Sequence, residues 1–201
     1  MPTIFSHGLV GLIGSKLGLQ NPKADKRIVI ASIVVAAVPD LDALFIGFIP
    51  YGDPLGHRGL THSLFFATCV GLALAFVFLK AGWAGDHSFW ILAALFGLIT
   101  ASHGFFDAMT NGGLGIAFFA PFNNTRYFLP WRPIPVAPLS AHRLFTASGM
   151  RLILWEAALF GPFLVAAIVW KKPEPKNWRR VSAAVCALVG IIVWVVAIRG
   201  A

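Results

Sequence analysis

Apolar residues run along the chain in long blocks broken by short polar stretches. A helix that crosses a bilayer needs about 20 mostly apolar residues. Leu152 to Trp170 and Val181 to Ile198 come close to that length. His62 to Leu79 is a third block, with Thr61 positioned to cap its N-terminus. Phe89 to Ala101 continues through S-H-G-F-F-D-A-M, which makes one span with a polar far end. Ile28 to Val38 is interrupted by P-D-L-D over 39–42, and apolar character resumes to Ile49. Ile4 to Leu19 is shorter and glycine-rich, and reads as a half-inserted or interfacial helix that turns back through 20–27. The pattern predicts an all-α, polytopic membrane bundle of about five spanning or half-inserted helices plus a short N-terminal helix.

Two polar stretches interrupt this pattern. Residues 50–61 form a Gly/Pro-rich loop. Residues 110–150 hold Pro121, Pro130, Pro133, Pro135 and Pro138, so the stretch reads as irregular rather than helical. The stretch is also rich in Phe, Trp and Arg, which predicts an ordered loop at a membrane surface and close to the site. No internal repeat is visible. We read residues 1–201 as one unit, with 152–201 as a C-terminal two-span hairpin.

Composition narrows the classes. The chain is 58% hydrophobic and 12% charged, about half the charge of an average soluble protein. That excludes a water-facing globule and a disordered chain. The net charge of +8 reads as membrane topology rather than nucleic-acid binding, because the basic residues lie between apolar blocks. Ten of the 16 Lys and Arg fall in 16–27, at Lys80 and in 171–180, a bias that places that side in the cytoplasm. No cleavable signal is evident, and the chain is expected to insert through its own spans. Cys69 and Cys186 sit inside apolar blocks and read as small hydrophobes.

Candidate chemistry is concentrated in four motifs. They are S-H-G at His7, P-D-L-D at Asp40 and Asp42, H-R-G-L-T-H-S at His57 and His62, and S-H-G-F-F-D at His103 and Asp107. A charge at the bilayer centre costs roughly 2.5–3.5 kcal/mol. Several such groups need partners, and His with Asp is a ligand set suited to a divalent metal. His103 and Asp107 are four apart and share a helix face. Two crossings return His103 to the side of His62, and Asp40 and Asp42 precede the 50–61 loop. All four motifs therefore converge on one face, extracytoplasmic by the charge bias. His87 reads as solvated, and His142 as either a ligand or an interfacial residue. Glu156 reads as a functional intramembrane acid or as the partner of Arg151.

These motifs, together with R-Y-F-L-P-W-R-P-I-P-V at 126–136, resemble the YdjM family of bacterial inner-membrane, metal-dependent hydrolases over most of residues 1–145. More distantly, they are similar to the zinc-dependent phospholipase C and single-strand nuclease fold. That likeness implies Asp40 or Asp42, His62, His103 and Asp107 around one zinc, and His7 at a second that shares Asp107. One or two ions are expected, since no His-x-x-x-Glu is present for a further zinc. Asp40 or Asp42 would orient a nucleophilic water or take its proton. Arg58, Arg126 and Arg132 would hold an anionic group, which favours a phosphoester of a lipid or another anionic substrate. The expected partners are the bilayer and that substrate, with no nucleic acid. The competing reading is a metal-ion or proton-coupled transporter that uses the same cluster.

Overall fold

The computed structural model describes residues 2–18, 26–138, 141–170 and 176–199, and only the backbone of Ala141 and of 176–179. Pro39 sets the first irregularity. It has no N–H to give the Val35 carbonyl and disfavours helical geometry at Val38. Helix α2 (Lys26–Val35) accordingly ends there, and the chain tightens into a 3-10 helix over Val38–Phe45. This break delivers Asp40 and Asp42 to the end of the bundle. Before it runs α1 (Ile4–Gly18), and the turn expected between α1 and α2 lies largely outside the described residues.

The apolar blocks form the remaining helices, α3 (Leu64–Lys80), α4 (Phe89–Ala108), the short α5 (Ala141–Leu144), α6 (Ala147–Trp170) and α7 (Lys176–Arg199). Lys26–Phe45, α4, α6 and Arg180–Arg199 are each long and apolar enough to cross a membrane, and α3 is a shorter apolar helix. The expected helical membrane bundle is thus what the chain forms. Two helix starts differ from expectation. Ser63, not Thr61, caps α3, its Oγ accepting the Phe66 N–H at 3.0 Å. The α6 helix begins at Ala147 rather than Leu152, because Thr146 Oγ1 accepts the Gly149 N–H at 3.3 Å and caps an extra turn.

The starts of α1, α3 and α6 and the ends of the 26–45 segment, α4 and α7 gather at one end of the bundle. Loops 46–63 and 109–138 fold over that end. The 109–138 loop is ordered, as its composition predicts. Ile116 and Tyr127 exchange backbone hydrogen bonds at 2.8 and 2.9 Å, and Asn111 N–H donates to the Ile134 carbonyl. Inside the bundle Ile28, Phe78, Leu92 and Phe96 pack between α2, α3 and α4. Outside it Trp90, Leu98, Leu154 and Val196 are exposed, so the outer faces are as apolar as the core and suit lipid rather than water.

The α3–α4 contact depends on a close backbone approach. A methyl at Gly71 would lie 2.5 Å from the Ala93 carbonyl oxygen and 2.8 Å from the Gly97 nitrogen. At Gly97 the nearest atom would be 3.5 Å away, ordinary contact. Gly71→Ala should therefore separate the helices and lower stability by about 1–3 kcal/mol. Gly97→Ala should unfold like the wild type. Thermal unfolding of both variants in one detergent checks this, and equal melting temperatures would disprove it.

Candidate metal centre

Helix ends deliver the side chains of the centre. His103 and Asp107 lie one turn apart near the end of α4. Gly104 between them lets that helix approach the 57–63 segment, since a methyl there would meet the His62 carbonyl oxygen at 2.7 Å. Asp40 enters through the 3-10 helix after Pro39. His62 closes a short 3-10 turn, Leu60–His62, just before α3. His7 comes from the first turn of α1, and its ring stacks on His103 with centroids 3.7 Å apart.

The nitrogens and oxygens converge. His103 Nε2 lies 3.2 Å from Asp40 Oδ1. His62 Nε2 lies 3.6 Å from the same oxygen and 3.7 Å from Asp107 Oδ2. One ligand atom from each of Asp40, His62, His103 and Asp107 falls within 4.8 Å of the others. Ligand atoms held tetrahedrally at ~2.0–2.1 Å from a zinc ion sit ~3.3 Å apart. The spacing is therefore close to that of a coordination shell. His7 Nε2 lies 3.4 Å from Asp107 Oδ1, beside this group of four.

Apart from one another and Arg58, these atoms have no partner among the described residues. His7 Nε2, His62 Nε2, His103 Nε2 and both carboxylate oxygens of Asp40 and of Asp107 are buried without a hydrogen-bond partner. Buried polar atoms are normally paired, so a cluster of unpaired ones needs a cause. The ring orientations supply one. His103 Nδ1 lies 2.7 Å from the Ala36 carbonyl, which can only accept, so the proton is on Nδ1 and the Nε2 lone pair faces inward. His62 Nδ1 faces Asp42 Oδ2 at 3.2 Å and Thr61 Oγ1 at 3.0 Å, with the same result. This is the outer support that metal-bound imidazoles usually carry.

Asp42 and His57 lie beside this group and pair with each other. Asp42 Oδ1 accepts from His57 Nδ1 at 2.6 Å, and Oδ2 accepts from the Thr61 hydroxyl at 2.5 Å and the Arg58 N–H at 3.2 Å. A second group of Asp40, Asp42, His57 and His62 is also close enough to hold an ion. Its Asp42 oxygens are already engaged, so the group with unpaired atoms fits a cation better. Thr61, expected as a helix cap, instead joins Asp42 to His62.

Nor do Arg58 and Arg126 point toward a substrate. Arg58 is 1% exposed and adopts a left-handed backbone, φ +65°. Its guanidinium donates to the Gly112 and Leu114 carbonyls and the Thr110 hydroxyl at 2.7–2.9 Å, and Nε lies 3.2 Å from Asp107 Oδ2. Arg126 donates to the carbonyls of Tyr51, Asp53, His57 and Gly115 at 3.0–3.3 Å. Both arginines are struts that join the 50–63 and 109–138 loops. Arg132 is exposed, its guanidinium 4.9 Å from the centre of the Phe128 ring.

Glu156 has a partner that its local sequence does not suggest. It accepts from the Thr3 N–H at 2.8 Å, the Thr3 hydroxyl and the Ser6 hydroxyl at 2.6 Å, and so anchors the start of α1 beneath His7. Arg151 is not that partner. His142 is exposed on α5, and His87 lies in the turn at the opposite end; neither reaches the cluster.

Electrostatics favour a cation. Asp40, Asp42 and Asp107 carry three negative charges in the cluster, and Arg58 returns one. The excess shows at His62. Burial opposes charge on that ring, but the carboxylates of Asp40, Asp42 and Asp107 outweigh it and raise its pKa to about 9. A divalent cation would offset the excess negative charge.

Comparison with known proteins identifies the family. The profile of the YdjM inner membrane protein family matches residues 1–199. Inner membrane protein YbcI of Escherichia coli (strain K12) is 36% identical over 177 residues, which covers 86% of this chain and 99% of that protein. No solved structure matches the chain. A match across essentially the whole length, with apolar spans and a buried His/Asp cluster, shows that the chain belongs to the YdjM family of inner membrane proteins.

Proposed function

We propose that this inner membrane protein is a metal-dependent hydrolase that cleaves a phosphoester, with one divalent ion, preferably zinc, held by Asp40, His62, His103 and Asp107. The observation that carries this is the convergence of unpaired, buried ligand atoms at near-coordination spacing. Two imidazoles and two carboxylates satisfy a borderline cation such as zinc and neutralise its charge. His7 stands ready as a further ligand or as an anchor for Asp107. A bound cation supplies Lewis-acid polarisation and makes water nucleophilic near neutral pH.

The chain's own groups do the rest. Asp42 and the Ala36 carbonyl hold the proton on Nδ1 of His62 and of His103. Arg58 fixes Asp107. His57, with Nδ1 donating to Asp42, keeps its Nε2 lone pair and is the candidate proton carrier. It accepts a proton from the attacking water and returns it to the leaving ester oxygen. Arg132 remains to meet an anionic group. The bias of basic residues supports an extracytoplasmic centre, the more so because Arg58 and Arg126 are internal struts and not topology signals. The ligands gather at span ends, away from the midplane, and no repeat is visible, which favours hydrolysis over transport.

Purified protein stripped with EDTA should rebind about one zinc by elemental analysis and then hydrolyse bis(p-nitrophenyl) phosphate. His103→Ala and Asp107→Ala should lose both. Full metal and full activity in the two variants would end the assignment, and zinc flux into liposomes without hydrolysis would establish the transporter. Asp42→Asn, which leaves the proposed first ligands intact, should weaken zinc binding ~10–100-fold.

The His62 proton gives a pH test. Its folded-state pKa of about 9 lies above the ordinary histidine value. In the metal-free protein its contribution is complete below ~6.5 and is lost as pH rises through the folded-state value. The melting temperature of EDTA-treated protein should fall across that interval, and zinc affinity should rise over it. A flat metal-free profile would remove His62 from the centre.

A further inference from the structure

Next to the metal centre, α4 stands apart from the α6–α7 hairpin, and with the outer turns of α1 it leaves a groove of ≈ 680 Å³. Every lining residue among those described is apolar. The groove follows α7 from Ile198 to Ala183, fifteen residue steps and so about 22 Å, more than the ~15 Å of hydrocarbon in one leaflet. One end lies beside the centre. Val10 lies one turn beyond His7 on α1, and Phe106 immediately precedes Asp107 on α4. At that end the Phe106, Phe160 and Trp194 rings interlock, with Phe160 5.1 Å from Phe106 and 5.8 Å from Trp194. The Trp194 indole N–H is tied to the Leu159 carbonyl at 2.9 Å, so this wall is fixed. Farther out, Ala183 and Ala187 make a shallow floor.

We infer that this groove holds an acyl chain of the lipid whose phosphoester is presented to the metal centre, so that the substrate is a membrane phospholipid and not a soluble ester. The inference rests on the hydrolase reading above. Three observations select the occupant. The lining lies within the spans, where hydrocarbon is the surrounding solvent and an apolar slot does not hydrate. An empty slot would forfeit dispersion contacts along its whole length. Its shape is long and narrow, ≈ 680 Å³ along ~22 Å of α7, which suits one or two extended hydrocarbon chains.

The test uses full-length, zinc-loaded protein in phosphatidylcholine nanodiscs containing phosphatidylglycerol with a diazirine at mid-chain. Irradiation should label α7 between Ala183 and Trp194 saturably, and a hundredfold excess of unlabelled phosphatidylglycerol should abolish that labelling. Ala187→Trp, which fills the floor, should cut it at least tenfold. Ala183→Leu, a milder filling, should cut it several-fold, and wild-type zinc content verifies that either variant is folded. Labelling that is non-saturable and even over all exposed helices would overturn the groove, as would full labelling in folded Ala187→Trp. Cross-linked dimers through α7 would also overturn it, by giving the slot to a second copy. Turnover of bis(p-nitrophenyl) phosphate without saturable labelling would sink the groove and leave the hydrolase. Saturable labelling without turnover of any ester would do the reverse.

Discussion

Three carboxylates share one buried cluster at the end of an apolar bundle with a single guanidinium among them, and the rest of the structure answers to that imbalance. Isolated charges at such depth are expensive. The chain does not dilute the cost by opening the site to water, since His62, His103, Arg58 and Asp107 are all buried. It concentrates the negative charge on few atoms and leaves those atoms unpaired. Such an arrangement is unstable by itself and reasonable around a cation. The fold features nearby make sense in that light. Pro39 breaks a span to deliver Asp40, Gly104 removes a side chain where α4 passes His62, and Arg58 accepts a left-handed backbone to reach Asp107.

Around this cluster two carboxylates that look alike in sequence have separate duties. Asp40 and Asp42 are two residues apart, yet both oxygens of Asp40 are bare and both of Asp42 are engaged. The difference arises from the 3-10 geometry, which turns the two side chains to different neighbours. Asp42 meets a loop that offers His57, Arg58 and Thr61, whereas Asp40 meets the two imidazoles whose donors already have other partners. Asp42 thereby decides which nitrogen of His62 faces the centre. In the proposed centre Asp40 would be an inner ligand and Asp42 an outer support, the division expected where imidazole orientation is fixed before a metal arrives.

Much of this was legible in the sequence. Block length alone marked the spans, because hydrocarbon thickness sets helix length and leaves little freedom. The cluster was legible too, because charged groups are so rare beside these blocks that His7, Asp40, Asp42, His57, His62, His103 and Asp107 stood out, though not which of them face one point. What the sequence withheld were contacts between distant segments. Glu156 lies 153 residues from Thr3, and nothing near it in sequence signals a partner other than Arg151. Arg58 looked like an anion-binding residue beside two histidines, and only the folding of 109–138 over it converts its donors into internal struts. The groove was invisible for the opposite reason. It is made of the same Ala, Phe and Trp that any span contains, and only the separation of the α6–α7 hairpin from α4 distinguishes a slot from a packed seam.

Placing such a centre at the end of spans rather than on a soluble domain changes how a substrate arrives. A soluble ester would have to pass the 46–63 and 109–138 loops, where Phe48, Leu55, Phe119 and Phe122 are exposed. These residues favour the bilayer interface over water and would hold the loops against lipid headgroups. A lipid has a shorter path. It diffuses in the plane, its headgroup already lies at the depth of the span ends, and an apolar slot can select its chain before any polar contact forms. Binding energy from the remote chain can then offset the cost of removing the headgroup from its own hydration shell at the centre. In that arrangement the fold needs few basic residues at the mouth, which is consistent with Arg132 alone remaining free of protein acceptors among the arginines expected there.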